Sequence, residues 1–213
     1  MSARYPNYDV LAKRNTPSWN EKTRRVIDQR LAMPREPRFL SHEEFETLEA
    51  VCARIVPQPA TRAPIPVAAM IDTKLHEDKR DGYRDYRLPP LREAWRRGLR
   101  ALDVEARARH SGAFHTLHID EQDALLRAAQ AGRLTNPAWA GMSSQVFFAK
   151  RLLSDIVKAY YAHPTAWSEI GYGGPASPRG YVRMDFDRRD PWEAAEAKPG
   201  HEAEAAKINA RIG

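Results

Sequence analysis

Between Tyr160 and Trp192 the chain reads YYAHPTAWSEIGYGGPASPRGYVRMDFDRRDPW, and any fold must accommodate this stretch. Four prolines (164, 175, 178, 191) and four glycines (171, 173, 174, 180) leave it without a helix or strand period of its own. It nevertheless carries seven rings: Tyr160, Tyr161, Trp167, Tyr172, Tyr181, Phe186 and Trp192. Flexible linkers are rich in Gly and Ser and poor in aromatics. Rings of this size carry a large hydrophobic free energy and must be buried somewhere. The composition therefore predicts an ordered, functional loop, folded over its own helices or docked on another protein.

Elsewhere strand formers are sparse and the 3.6-residue period dominates. The expected class is all-α: an irregular helical bundle with an extended N-terminal arm and a long Gly/Pro/aromatic C-terminal loop. The first strong helix opens at Ser41, where Glu44 completes a capping box, and Phe45, Leu48, Cys52 and Ile55 recur on one face. Pro57 and Pro59 stop it, and Pro66 starts the next helix, striped by Val67, Met70, Ile71 and Leu75. Pro89-Pro90 opens a long helix through about Arg109, lined by Leu91, Trp95, Leu99 and Leu102. A fourth helix is expected from Asp120 to about Ala131, stopped by Gly132. A fifth, capped by Ser143 or Ser144, should run to Tyr161 with Val146, Ala149, Leu153, Ile156, Val157 and Tyr160 facing inward. The charged residues 78–89, with Tyr83 and Tyr86, read as a surface loop, and residues 193–212 favour a helix by propensity.

These elements suggest three segments: a basic arm over 1–38, a helical domain over 39–161, and an aromatic loop and tail over 162–213. That last segment either belongs to the same domain or wraps a partner. Residues 1–40 hold nine Lys/Arg against four Asp/Glu, a local +5 out of +6 for the chain. Within the arm, Thr16 or Ser18 can cap a helix from about Trp19 to Leu31, whose stripe is only Val26, Ile27 and Leu31. Such a thin stripe predicts weak structure until docked. Tyr5, Tyr8 and Trp19 between the charges suit docking on protein at least as well as on nucleic acid.

A single cysteine, Cys52, excludes an intrachain disulfide and a cysteine-ligated iron–sulfur cluster built from this chain alone. No run of 18 apolar residues predicts a membrane span. Arg24-Arg25 is a twin arginine, but VIDQRLAM follows it where an export signal needs an apolar run. The expected compartment is the cytoplasm, or the periplasm if a partner carries the address.

The run YYAHPTAWSEIGYGGPASPRGY resembles the C-terminal signature of the gluconate 2-dehydrogenase subunit 3 family. The resemblance extends to SHEEFETLEAVCARIVPQ (Ser41 to Gln58), PVAAMIDTKL (Pro66 to Leu75) and GAFHTLHIDEQDALL (Gly112 to Leu126), covering roughly Phe39 to Tyr181. It implies a non-catalytic small subunit of a bacterial sugar or alcohol dehydrogenase complex, supporting folding, stability or export of its partner. The implied partner is a large FAD-containing subunit of the glucose–methanol–choline type, in many members joined by a cytochrome c subunit. The twin-arginine export signal common in the family is the feature this sequence departs from.

The residues offer little chemistry of their own. No G-x-G-x-x-G follows a strand pattern, so FAD is expected in the partner and no cofactor in this chain. His110, His115 and His118 invite a metal reading, but without a motif such as H-E-x-x-H structural or surface roles are expected, and no metal. No residue is expected to be catalytic. A free-standing enzyme and a basic nucleic-acid-binding or general interaction protein are the competing classes. The latter would use Arg92, Arg96, Arg97 and Arg100 on one face of the long helix. The candidate site is instead a partner interface: Trp167, Tyr172, Tyr181 and Trp192 as ring anchors, Arg179 and Arg183 as polar clamps, and Gly173-Gly174-Pro175 as the turn that shapes them.

Overall fold

The computed structural model describes residues 4–80, 82, 85–186 and 188–212; Tyr83 of the charged loop lies outside them. All regular elements among the described residues are helical. In chain order they are α1 (Glu21–Leu31), α2 (His42–Ile55), α3 (Val67–His76), α4 (Leu91–His110), α5 (Ile119–Gln130), α6 (Ser144–Phe147), α7 (Ser154–Tyr161), α8 (Pro164–Ile170) and α9 (Glu202–Asn209), with short 3-10 turns and one π-helical segment between. No described helix is long and apolar enough to cross a membrane.

Contacts divide the chain into two units, Pro34–Tyr160 and the pair of end segments Met1–Met33 and Tyr161–Gly213. In the central unit local chemistry sets the helix ends as expected. Ser41 and Glu44 form the capping box of α2. His118 and Glu121 form a second one at α5, which the sequence reading missed because His is an uncommon cap. Gly132 ends α5 at φ +71°. Phe45, Leu48, Val51 and Cys52 bury the inner face of α2, and burial pushes the Cys52 thiol pKa up, in keeping with an inert core cysteine. The carboxylate of fully buried Asp72, on α3, accepts hydrogen bonds from the backbone N–H of Arg38 (2.6 Å), Phe39 (3.1 Å) and Leu40 (2.8 Å). These bonds fix the chain just before α2 and satisfy donors that burial would otherwise orphan.

The expected fifth helix is interrupted. Between α6 and α7, residues Phe148–Leu153 form a π-helical segment. Its wider turn inserts extra residues into the helical phase, so the buried positions step by four: Phe147 and Phe148, then Arg151 and Leu152, then Asp155 and Ile156. Ala149 and Leu153, expected to face inward, are exposed. The detour carries a buried ion pair, Arg151 Nη1 to Asp155 Oδ2 at 3.1 Å, and Asp155 also accepts from Trp95 Nε1 at 3.3 Å.

Phe147 is the centre of this unit. Its ring meets Trp95 at 5.8 Å and Trp139 at 5.9 Å, both edge-on, the favoured geometry for paired rings. It sits against Gly98 of α4, where a Cβ would lie 2.1 Å from Phe147 Cζ. Gly98→Ala would gain about 1 kcal/mol of helix propensity, but the added methyl has no space beside a fully buried ring. The net expectation is destabilisation by about 1–3 kcal/mol, read as a lower denaturation midpoint with unchanged slope.

The end segments correct the expectation of a weakly structured arm. Tyr8, Val10, Trp19 and Ile27 from the first segment form one buried cluster with Trp167, Trp192 and Ile212 from the second. Of the expected stripe of α1 only Ile27 is buried, whereas Val26 and Leu31 are exposed, and rings from outside the helix supply the apolar surroundings of Ile27. Its cap is Asn20, accepting from the Thr23 N–H at 2.9 Å, and not Thr16 or Ser18. Backbone and side-chain hydrogen bonds join the segments: Ala197 N–H to the Arg4 carbonyl (2.8 Å), Asn209 Nδ2 to the Pro6 carbonyl (2.8 Å) and Asn20 N–H to the Ser177 carbonyl (3.0 Å). The two units are divided along the chain at 33/34 and 160/161.

Candidate partner-docking surface

The stretch expected to lack helix contains α8. His163 caps it, accepting from the Thr165 N–H at 3.3 Å, Pro164 occupies its first turn, and Gly171 closes it in the left-handed region. This short helix delivers Trp167 inward. The indole donates from Nε1 to the Tyr161 carbonyl at 2.6 Å, lies edge-on to Tyr172 at 5.7 Å, and receives the Arg30 guanidinium over its face at 5.5 Å. Gly174, at φ +68°, runs so close that a Cβ there would come within 2.9 Å of the Trp167 ring. The Gly173-Gly174-Pro175 turn therefore shapes the loop by permitting a positive φ and a backbone-to-indole approach.

The anchors expected from sequence divide. Trp167 and Trp192 are buried in their own unit, so both rings belong to its core. Tyr172 and Tyr181 reach the surface, share a hydrogen bond between hydroxyls at 2.7 Å, and stack at a tilt, 6.4 Å apart. Burial, followed by the bond to Tyr181, pushes the Tyr172 pKa up to about 12. Arg179 turns inward, pairing with buried Asp190 at 3.2 Å and stacking on Trp192 at 5.2 Å. Arg183 is exposed and makes a bidentate pair with Glu193, both bonds 3.0 Å.

Tyr181 begins an exposed run whose later members, Val182, Met184 and Phe186, stand outside the expected anchors. Tyr181, Val182, Met184 and Phe186 are 71%, 74%, 61% and 93% exposed, interleaved with Arg183 and Asp185. Scattered exposed apolar residues are ordinary, but four within six positions form a patch of the kind that marks interaction sites. The signal was present as an apolar run between two Gly/Pro breaks. It is a weak signal, because Val and Met carry less weight than Trp as expected anchors.

Between this loop and the Gly173-Gly174 turn lies a cleft of about 330 Å³, bordered by Lys13, Tyr172, Tyr181, Arg179 and Trp192 among others. Lys13 is buried, and burial, then the nearby Arg179 charge, lowers its pKa to about 8. Tyr8, also buried, is pushed up to about 12.

The remaining candidates lie in the central unit. His110, His115 and His118 approach three different carboxylates, Glu121 at 3.1 Å, Glu46 at 3.5 Å and Asp120 at 3.4 Å. The arginine face of α4 borders a cleft of about 840 Å³. Arg100 pairs with Glu44 at 2.7 Å, Arg97 pairs with Glu93, and Arg92 and Arg96 lie over the Phe39 ring at 4.5 and 4.2 Å. Much of its charge is thereby compensated within the fold.

A family model described as gluconate 2-dehydrogenase subunit 3 matches residues 42–174, more than half of the 213-residue chain. The chain belongs to this family. The match to gluconate 2-dehydrogenase subunit 3 ends at Gly174, so it includes α8 and the start of the turn but leaves the exposed patch outside. No curated protein and no solved structure gives a match to the chain.

Two outcomes follow for this subunit. Trp167→Ala should destabilise it by roughly 3–5 kcal/mol, as for other buried tryptophans, seen as a lowered melting temperature of the isolated chain. Because the folded state holds Lys13 at a pKa of about 8, the unfolded chain binds more protons between that pH and the ordinary lysine value. Stability should therefore rise with pH from 8 towards 10, by at most about 1.4 kcal/mol per pH unit. Above pH 10 the raised Tyr8 pKa acts in the opposite sense. Denaturant titrations across this window should show the rise, and Lys13→Met should abolish it.

Proposed function

We propose that this chain is the non-catalytic small subunit of an FAD-dependent sugar or alcohol dehydrogenase complex, and that it docks its large subunit through Tyr172 and residues 181–186. The family match supports the subunit role, and the observation that carries the docking surface is the run of Tyr181, Val182, Met184 and Phe186 held in solvent. Apolar side chains grouped at this density lower the free energy when a partner covers them, and Tyr and Arg beside them are favoured in binding hot spots.

FAD is assigned to the large subunit, of the glucose–methanol–choline type. The described residues of this chain are helical throughout their regular structure, and a dinucleotide site of the strand–glycine loop–helix kind needs a strand to lead into the loop. The small subunit's contribution is to fold onto the flavoprotein and stabilise it by mass action, since a partner that binds only the native state shifts its unfolding equilibrium. A cytochrome c subunit taking electrons onward is compatible with this role and needs no residue of this chain.

Co-expression of the chain with the products of its neighbouring reading frames should yield a co-purifying complex with flavin absorbance. Phe186→Asp and Met184→Asp should weaken that association by about thirtyfold or more, the size expected of a central anchor, while leaving the melting temperature of the isolated chain within a degree or two. Unchanged affinity in both variants would move the interface elsewhere; a flavoprotein equally soluble and active without this chain would remove the stabilising role.

A further inference from the structure

Unspent hydrogen-bond donors gather around Gly173, at and just behind one wall of the cleft it lines. Lys13 is 2% exposed, yet its ammonium donates to Ser18 Oγ at 3.1 Å and otherwise rests over the Trp19 ring at 5.2 Å. An ammonium has three donors, and no carboxylate among the described residues pairs with this one. The Tyr8 hydroxyl and Arg179 Nε are also buried without a hydrogen-bond partner among the described residues. A Cβ placed on Gly173 would lie 3.1 Å from Lys13 Nζ and 3.9 Å from the Tyr8 hydroxyl, so both groups border the space above that glycine. Lys13, Gly173 and Arg179 all line the cleft of about 330 Å³. The carboxylates on its rim are committed, Asp190 to Arg179 at 3.2 Å and Glu193 to Arg183 at 3.0 Å.

A buried cation without a counter-charge is costly, and idle donors beside it add to the cost. An acceptor-rich anion would relieve both, and ammonium and guanidinium groups bind carboxylates through short, charge-assisted hydrogen bonds. We propose that this cleft is a carboxylate-binding site, with the anion seated over Gly173 between Lys13 and Arg179 and the rings of Tyr172, Tyr181 and Trp192 forming its walls. The missing side chain at position 173 leaves room for the seat, and the rings exclude water from the ion pair that forms there. The inference is independent of the subunit reading. A free organic acid and the acidic side chain of a docking chain offer the same group.

The test titrates the intact chain with sodium acetate and, separately, with the blocked peptide acetyl-Gly-Glu-Gly-amide. Each titration is compared with sodium chloride at matched ionic strength, following tryptophan fluorescence and the NMR signals of the Lys13 side chain. Saturable binding of acetate assigns the site to free organic acids; binding of the peptide with acetate silent assigns it to a chain-borne carboxylate. In either case Lys13→Met and Gly173→Ala should each weaken binding roughly tenfold or more, the loss expected from removing a hydrogen bond to a charged group. Gly173→Ala keeps the charge and fills the seat, so it decides the matter even if the methionine variant misfolds. Responses equalled by chloride, or unaltered in Gly173→Ala, overturn the proposal.

Discussion

Neither end of this chain has enough apolar surface to shield its own rings. In the first segment Trp19 has Tyr8, Val10 and Ile27 for company; in the last, Trp167 and Trp192 have Ile212, Ala194 and the half-open ring of Tyr172. Each set alone would leave large rings in water, and burying an aromatic side chain is among the strongest local driving forces available to a fold. Joined, the two sets exclude water from one another. The placement of α8, the path of the Gly173-Gly174 turn and the burial of Lys13 all follow from this pairing, because each is fixed by contact with one of these rings.

The same pairing decides what remains outside. Once Trp167 and Trp192 are committed to the core, the apolar residues left uncovered are the smaller and later ones, Val182, Met184 and Phe186, together with Tyr172 and Tyr181. A Gly/Pro-rich segment thus performs two tasks in sequence. Its first half turns rings inward around tight backbone approaches, and its second half presents side chains that the unit's own core does not take up. The arginines separate likewise: Arg179 is drawn inside by Asp190, whereas Arg183 stays exposed against Glu193.

What could be read in the sequence follows the range of the interactions responsible. The capping box at Ser41 and the stop at Gly132 depend on neighbours three or four residues away, so their chemistry is visible in the string of letters. The stripe of α2 is visible for the same reason. The π-helical segment at Phe148–Leu153 is not, because it is imposed by what Phe147 and Asp155 must reach across the unit, the edge and the indole N–H of Trp95. The joining of the two ends was illegible because the partners are separated by more than a hundred residues and neither half is distinctive alone. Lys13 illustrates the limit most clearly. A buried lysine is spelled like a solvated one, and only the surroundings of its ammonium tell them apart.

The division of the chain has a consequence for its synthesis. Residues 34–160 are contiguous and carry their own core, so they can fold while later residues are still being added at the ribosome. The other unit cannot. Trp19 and Tyr8 are made more than a hundred residues before the partners that cover them, Trp167, Trp192 and Ile212. Throughout that interval the nascent chain carries a sticky, positively charged segment that only the later residues can cover.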